Sequence, residues 1–216
     1  MRRAARSLER AFAHGDDSAA REDMALASLF GGLALANAGL GAVHGFAGPL
    51  GGMVPAAHGM ICAALLPQVM AANIQALTER DPDHPSLDRY RETAVLLTGR
   101  ADATAKDGVA WVRQLCQRLK VPSLERIGFT AAQTAEAVSK ACQASSMKGN
   151  PVLLTEEELA SHQSAHVHHR RLDLGLHDPA GRDLPLGQGR DRRGPPRRLP
   201  RARQHLLAGE RGDPGR

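Results

Sequence analysis

The sequence predicts an all-α fold over residues 1–162, and three observations carry that expectation. Apolar residues recur at three- and four-residue spacing in one segment after another. Capping residues, glycines and prolines punctuate those segments where helices should begin and end. No run of alternating β-branched residues reads as a strand. With 42% hydrophobic residues in 216, the chain has ample material for a core.

Taken in order, Ala4, Ala5, Leu8, Ala11 and Phe12 form an apolar helical stripe over Met1 to Ala13, with arginines on the other side. His14-Gly15-Asp16-Asp17 ends it, and Asp17 or Ser18 can cap a second helix whose first turn carries Glu22 and Asp23 at the favourable end of its dipole. From Met24 to Leu40 the chain is almost continuously apolar, through Leu26, Leu29, Phe30, Leu33 and Leu35. This predicts a helix buried on most sides, with Gly31 and Gly32 allowing close packing.

The six glycines from Gly41 to Gly59 read as a loop between two buried helices. A further helix, Gly59 to Leu77, presents Ile61, Leu65, Leu66, Val69, Met70 and Ile74 on one face, with a kink expected at Pro67. Asp81 to Pro85 is a loop with a solvent-exposed His84, and Pro85 opens the next helix. Ala103 to Leu119 places Val109, Trp111, Val112, Leu115 and Cys116 on a broad core face. Thr130 with Gln133 makes a capping box for a helix from Ala131 to Ala144, and Thr155 with Glu158 repeats the device for a last short helix. Lys148 reads as a solvated loop lysine.

Near Ser161 to Ser164 the composition turns to Arg, Pro, Gly and Asp with few large apolar residues, which predicts a disordered tail over 163–216. His162, His166, His168 and His169 there read as incidental. GRDRRGPPRRLPRARQ resembles an out-of-frame translation of a GC-rich gene, so a frameshift near residue 162 is expected.

The tail holds twelve arginines against six acidic residues. Its net +6 exceeds the +5 of the whole chain and leaves −1 for residues 1–162. A nearly neutral domain has no basic footprint for nucleic acid, so no nucleic-acid partner is expected of it, and only the arginine tail offers that alternative. No stretch of eighteen uninterrupted apolar residues occurs and the amino terminus has no apolar signal centre, so no membrane partner is expected. Cys62, Cys116 and Cys142 form no C-x-x-C pair. They predict free, buried thiols in a reducing cytoplasm rather than a disulfide framework or a structural zinc.

The chemistry concentrates in LGAVHGFAGPLGGMVPAAHGMICAALLP, Leu40 to Pro67, where His44 and His58 stand fourteen apart among apolar and glycine residues. A buried imidazole has two ring nitrogens that need partners, which a metal on one side and an acceptor on the other can supply; a hydrogen-bonded core histidine is the plainer alternative.

This run, with the helix that follows it, resembles the metal-binding signature of the iron-containing (group III) alcohol dehydrogenases, G-x-x-H-x-x-x-H-P-x-G followed after a gap by H-G. ASSMKGNPVLLTEEEL, Ala144 to Leu159, resembles that family's carboxy-terminal ending. The resemblance implies a helical bundle corresponding to the C-terminal domain of the dehydroquinate synthase-like fold. It implies that His44 and His58 bind a divalent metal, Fe2+ or Zn2+, and that the complete enzyme uses NAD(P) to interconvert small alcohols with aldehydes or ketones, as a candidate homo-oligomer. The family pattern has a non-ligand histidine beside the nicotinamide where Gly48 stands here, before Pro49, so no side chain is available at that position for proton relay.

The family's other two ligands, an Asp and a His four apart on an upstream helix, have no counterpart, because no D-x-x-x-H occurs in residues 1–162. No strand precedes Gly48 to Gly52 as a dinucleotide fingerprint requires. The expectation is therefore a helical portion of such an enzyme, truncated at its start, inactive alone and a weak metal binder. The alternative is a non-catalytic helical interaction module.

Overall fold

The computed structural model describes residues 1–159, all within one unit of the chain, Met1–Asp173. The expectations made for 163–216 and for the histidines at 162, 166, 168 and 169 lie outside the described residues. Seven α-helices follow one another: α1 (Arg2–Ala13), α2 (Ser18–Ala38), α3 (Ala42–Gly51), α4 (His58–Arg80), α5 (Pro85–Thr98), α6 (Ala105–Arg118) and α7 (Thr134–Gln143), with short 3-10 turns at Glu125–Ile127, Ala131–Gln133 and Ser145–Gly149. No strand occurs among the described residues.

Helix α4 is the axis. Its first half packs against α3, and α7, packed on α3, completes a cluster that includes Phe46, Leu50, Ile61, Leu65, Leu124, Phe129 and Val138. Its second half joins α5 and α6 through Met70, Ile74, Val109 and Val112, with Trp111 and Tyr90 packed at the edge. By length and composition α4 could cross a bilayer, yet 67% of its most apolar window is buried inside the bundle, as in a core helix. The helix continues through Pro67, which is itself buried.

Local chemistry sets most boundaries. Thr104 and Asp107 form a reciprocal capping box at α6. Thr130 and Gln133 do the same for the turn leading into α7. Thr155 accepts from the Glu158 N–H while Glu158 accepts from the Thr155 N–H, opening a helical turn at 156–159.

Five expectations need correction. The glycine-rich stretch is not simply a loop, because α3 occupies its first half with Pro49 inside the helix. The helix over Met24 to Leu40 is not buried on most sides: Leu29, Phe30, Leu33 and Leu35 are 58%, 56%, 53% and 46% exposed, since nothing in the described bundle packs on that end of α2. Gly31 and Gly32 accordingly face open space rather than a neighbouring helix.

Asp23 is not a first-turn dipole partner, because α2 begins at Ser18 under an Asp17 cap. It is instead 6% exposed and accepts from Arg3 Nη1 at 2.6 Å, Arg6 Nη2 at 2.6 Å and Ser7 Oγ at 2.5 Å, tying α1 to α2. The Ser7 hydroxyl and the Arg6 and Arg3 guanidiniums hold its carboxyl well below the usual carboxylate range against the opposing effect of desolvation. Finally, His84 is only half-exposed and serves the fold directly, because its Nδ1 accepts from the Ser86 N–H at 3.1 Å and caps α5.

Candidate metal centre

The two histidines come together because of how α3 enters. Gly39 has φ +74°, a left-handed conformation that a side chain would oppose, and α3 leaves at 102° to α2. The turn is then clamped from the far end of the chain. Asn150 Oδ1 accepts from the Ala42 N–H at 3.1 Å, satisfying one of the orphan donors at the start of α3. A Cβ on Gly149 would lie 1.9 Å from the Leu40 carbonyl oxygen, so only glycine permits this approach. Asn150 is itself held by Asn73 on α4, and Asn73 Nδ2 also donates to the Tyr90 hydroxyl at 3.0 Å.

His44 thus sits in the first turn of α3, its N–H bonded to the Gly41 carbonyl at 3.0 Å. Residues 52–57 return the chain so that His58 is the first residue of α4. The two imidazoles face each other with ring centroids 5.5 Å apart and planes tilted by 45°. One helical turn further, Cys62 Sγ lies 3.4 Å from His58 Nε2. Donor atoms of His44, His58 and Cys62 all fall within 4.8 Å of one another.

Burial, then the neighbouring His58, lowers the pKa of His44 and so favours its neutral form. Burial pushes the Cys62 thiol up. His58 is exposed while His44 and Cys62 are half-buried, so the cluster opens to solvent on one side. On the other side it borders an apolar cavity of about 750 Å3 whose walls include Leu8, Leu66, Tyr90 and Trp111. The donor set therefore fits a divalent cation: two imidazoles and a sulfur converge beside a largely apolar cavity.

Of the sequence-predicted residues, His44 and His58 are brought together. Gly48 is exposed on α3 with nothing within 4 Å of a Cβ placed on it. Cys62 reads in the sequence only as a buried thiol; its place at the fourth residue after His58 on one helix, which puts both on the same face, is the signal for it. The cysteines as a set are less buried than expected, with Cys62 and Cys116 intermediate and Cys142 exposed, though all three are free. Lys148 is exposed, in keeping with a solvated lysine.

Comparison with known proteins gives consistent matches. Residues 1–165 match the model described as the Fe-containing alcohol dehydrogenase family, C-terminal. The chain is 32% identical over 156 residues to choline dehydrogenase of Bacillus subtilis (strain 168), covering 71% of this chain and 37% of that protein. It is 34% identical over 162 residues to 1,3-propanediol dehydrogenase of Klebsiella pneumoniae, covering 74% of this chain and 41% of the relative. The fold is similar to the crystal structure of a 1,3-propanediol oxidoreductase at a TM-score of 0.68 and 30% identity, over 76% of this chain and 42% of that one. It is equally similar to an alcohol dehydrogenase from Oenococcus oeni, with a TM-score of 0.68 and 29% identity. The chain spans about two fifths of the length of these relatives, 37% to 42%.

Proposed function

The chain belongs to the iron-containing alcohol dehydrogenase family, and from that premise we propose that it is the helical, metal-holding portion of an enzyme that interconverts small alcohols with aldehydes or ketones by hydride transfer. The observation that carries this reading is the convergence of His44 and His58, from the first turns of α3 and α4, at a centroid separation of 5.5 Å. When bound, Fe2+ or Zn2+ supplies Lewis-acid polarisation of the substrate oxygen and NAD(P) exchanges the hydride. The chain's own part is to hold two imidazoles in place, and the Asn150 clamp fixes the start of α3, which presents His44. Largely apolar walls border the cluster on that side.

The same reading assigns nicotinamide binding to no residue of this stretch, because Gly48 to Gly52 lie in and just after α3 with no strand before them. The 216 residues alone are therefore inactive in this proposal, and residues 1–162 act as one metal-binding helical domain. The test is metal uptake by the chelator-stripped chain in equilibrium dialysis, alone and with His44→Ala, His58→Ala or both. Loss of bound Zn2+ or Fe2+ in the variants supports the site, and undiminished uptake by the double variant overturns it. Metal-dependent NAD(P)H turnover on adding a cofactor-binding domain as a separate polypeptide then tests the reaction.

The exposed stretch of α2 favours a second reading, a helical interaction module. Leu29, Phe30 and Leu33 are exposed within one arc of α2, and Leu35 is exposed on its other side, the kind of apolar surface that protein contacts cover. In that reading the chain pairs with a further polypeptide of its own family, and a monodisperse monomer in sedimentation overturns it.

A further inference from the structure

We propose that Cys62 is the third protein donor to the cation held by His44 and His58, giving this chain a mixed imidazole and thiolate site for a thiophilic divalent ion, Zn2+ in preference to Mg2+ or Mn2+. The inference rests on the metal-site reading above and adds the residue that sets which ion the site takes.

Geometry leads to it. Zinc ligands at about 2.1 Å for nitrogen and about 2.3 Å for sulfur stand roughly 3.6 Å apart around a tetrahedral ion. Cys62 Sγ and His58 Nε2 are already 3.4 Å apart, and the donors of all three residues lie within 4.8 Å. Side-chain rotation alone can close that difference. The helix supplies the pre-organisation, because His58 and Cys62 are four residues apart on α4 and share a face. His44 approaches from α3, whose start is fixed by Asn150.

The composition of the cluster decides the ion. No carboxylate joins it among the described residues, so within this cluster sulfur is the donor that can bring negative charge. On coordination the S–H bond breaks, a sulfur–metal bond forms and the proton passes to solvent. Thiolate ligation selects zinc and cobalt over magnesium and manganese. The other thiols stand apart: Cys116 Sγ donates to the Ala63 carbonyl at 3.6 Å and Cys142 is on α7.

The test is anaerobic Co2+ titration of the chelator-stripped full chain, beside Cys62→Ser, Cys62→Ala and His44→Ala. The parent chain is expected to show visible ligand-field bands and a near-ultraviolet sulfur-to-cobalt charge-transfer band. Both Cys62 variants should lose the charge-transfer band, keep weaker ligand-field bands and bind Zn2+ about tenfold less tightly or worse. Ligand-field bands without charge transfer in the parent, or a charge-transfer band surviving in both Cys62 variants, overturns the role of Cys62 and leaves the histidine pair standing. Absence of cobalt binding by the parent overturns both.

Discussion

Asn73 and Asn150 exchange two side-chain amide hydrogen bonds across 77 positions of sequence, 3.1 Å in one direction and 2.7 Å in the other. Asn150 also donates to the Val152 carbonyl at 2.8 Å and accepts from the Ala42 N–H. Its amide is thereby fully satisfied inside the bundle. Asn150→Ala leaves the Ala42 N–H and the 2%-exposed Asn73 without these partners, which should cost about 2–3 kcal/mol of stability. Zn2+ affinity should fall with it, because α3 loses its anchor. Urea denaturation and zinc titration measure the two effects, and a stability loss near zero would remove Asn150 from its role as clamp.

The Asp23 hub gives the fold a defined acid response. Its folded pKa is lowered by Ser7, Arg6 and Arg3, so its contribution is complete above the ordinary carboxylate range near pH 4 and is lost as pH falls through the lower folded value. Asp23→Asn should be less stable than the parent at neutral pH and show a flatter decline on acidification. Urea midpoints from pH 7 down to pH 2 decide it, and parallel curves for the two chains would refute the assignment.

Glycine substitutions should split by site. Gly31→Ala and Gly32→Ala lie in an exposed helix interior with no neighbour to meet, so each should raise stability by up to about 1 kcal/mol. Gly149→Ala should be destabilising, because its Cβ would strike the Leu40 backbone. Thermal unfolding of the three single variants reads out both signs.

Leu33→Glu should leave the stability of the chain within about 0.5 kcal/mol, as expected of an exposed position. Any self-association through α2 should weaken in the same variant. Sedimentation velocity over a range of concentrations, combined with thermal unfolding, would separate this surface role from a packing role.

Helix periodicity and capping chemistry make the bundle legible before any coordinates. Thr104, Thr130 and Thr155 open their turns through side-chain bonds to nearby residues, which sequence shows directly. Expectation and structure part where the deciding partner is distant or missing from the described bundle. Leu29 to Leu35 look like core because composition reports apolarity and not what covers it. Asp23 reads as a dipole partner unless Arg3, Arg6 and Ser7 are known to face it. His44 and His58 are legible as a pair from their pattern, whereas the clamp is not, because nothing local joins Asn150 to Ala42.

One helix carries His58 and Cys62 at its entrance and then supplies side chains to both hydrophobic clusters. Turning α4 by a single residue, about 100°, would swing both donors away from His44 together while tearing two separate interiors. In the proposed site, ion affinity would therefore be geared to remote packing, and a repacked methyl near Ile74 should shift zinc uptake several turns away.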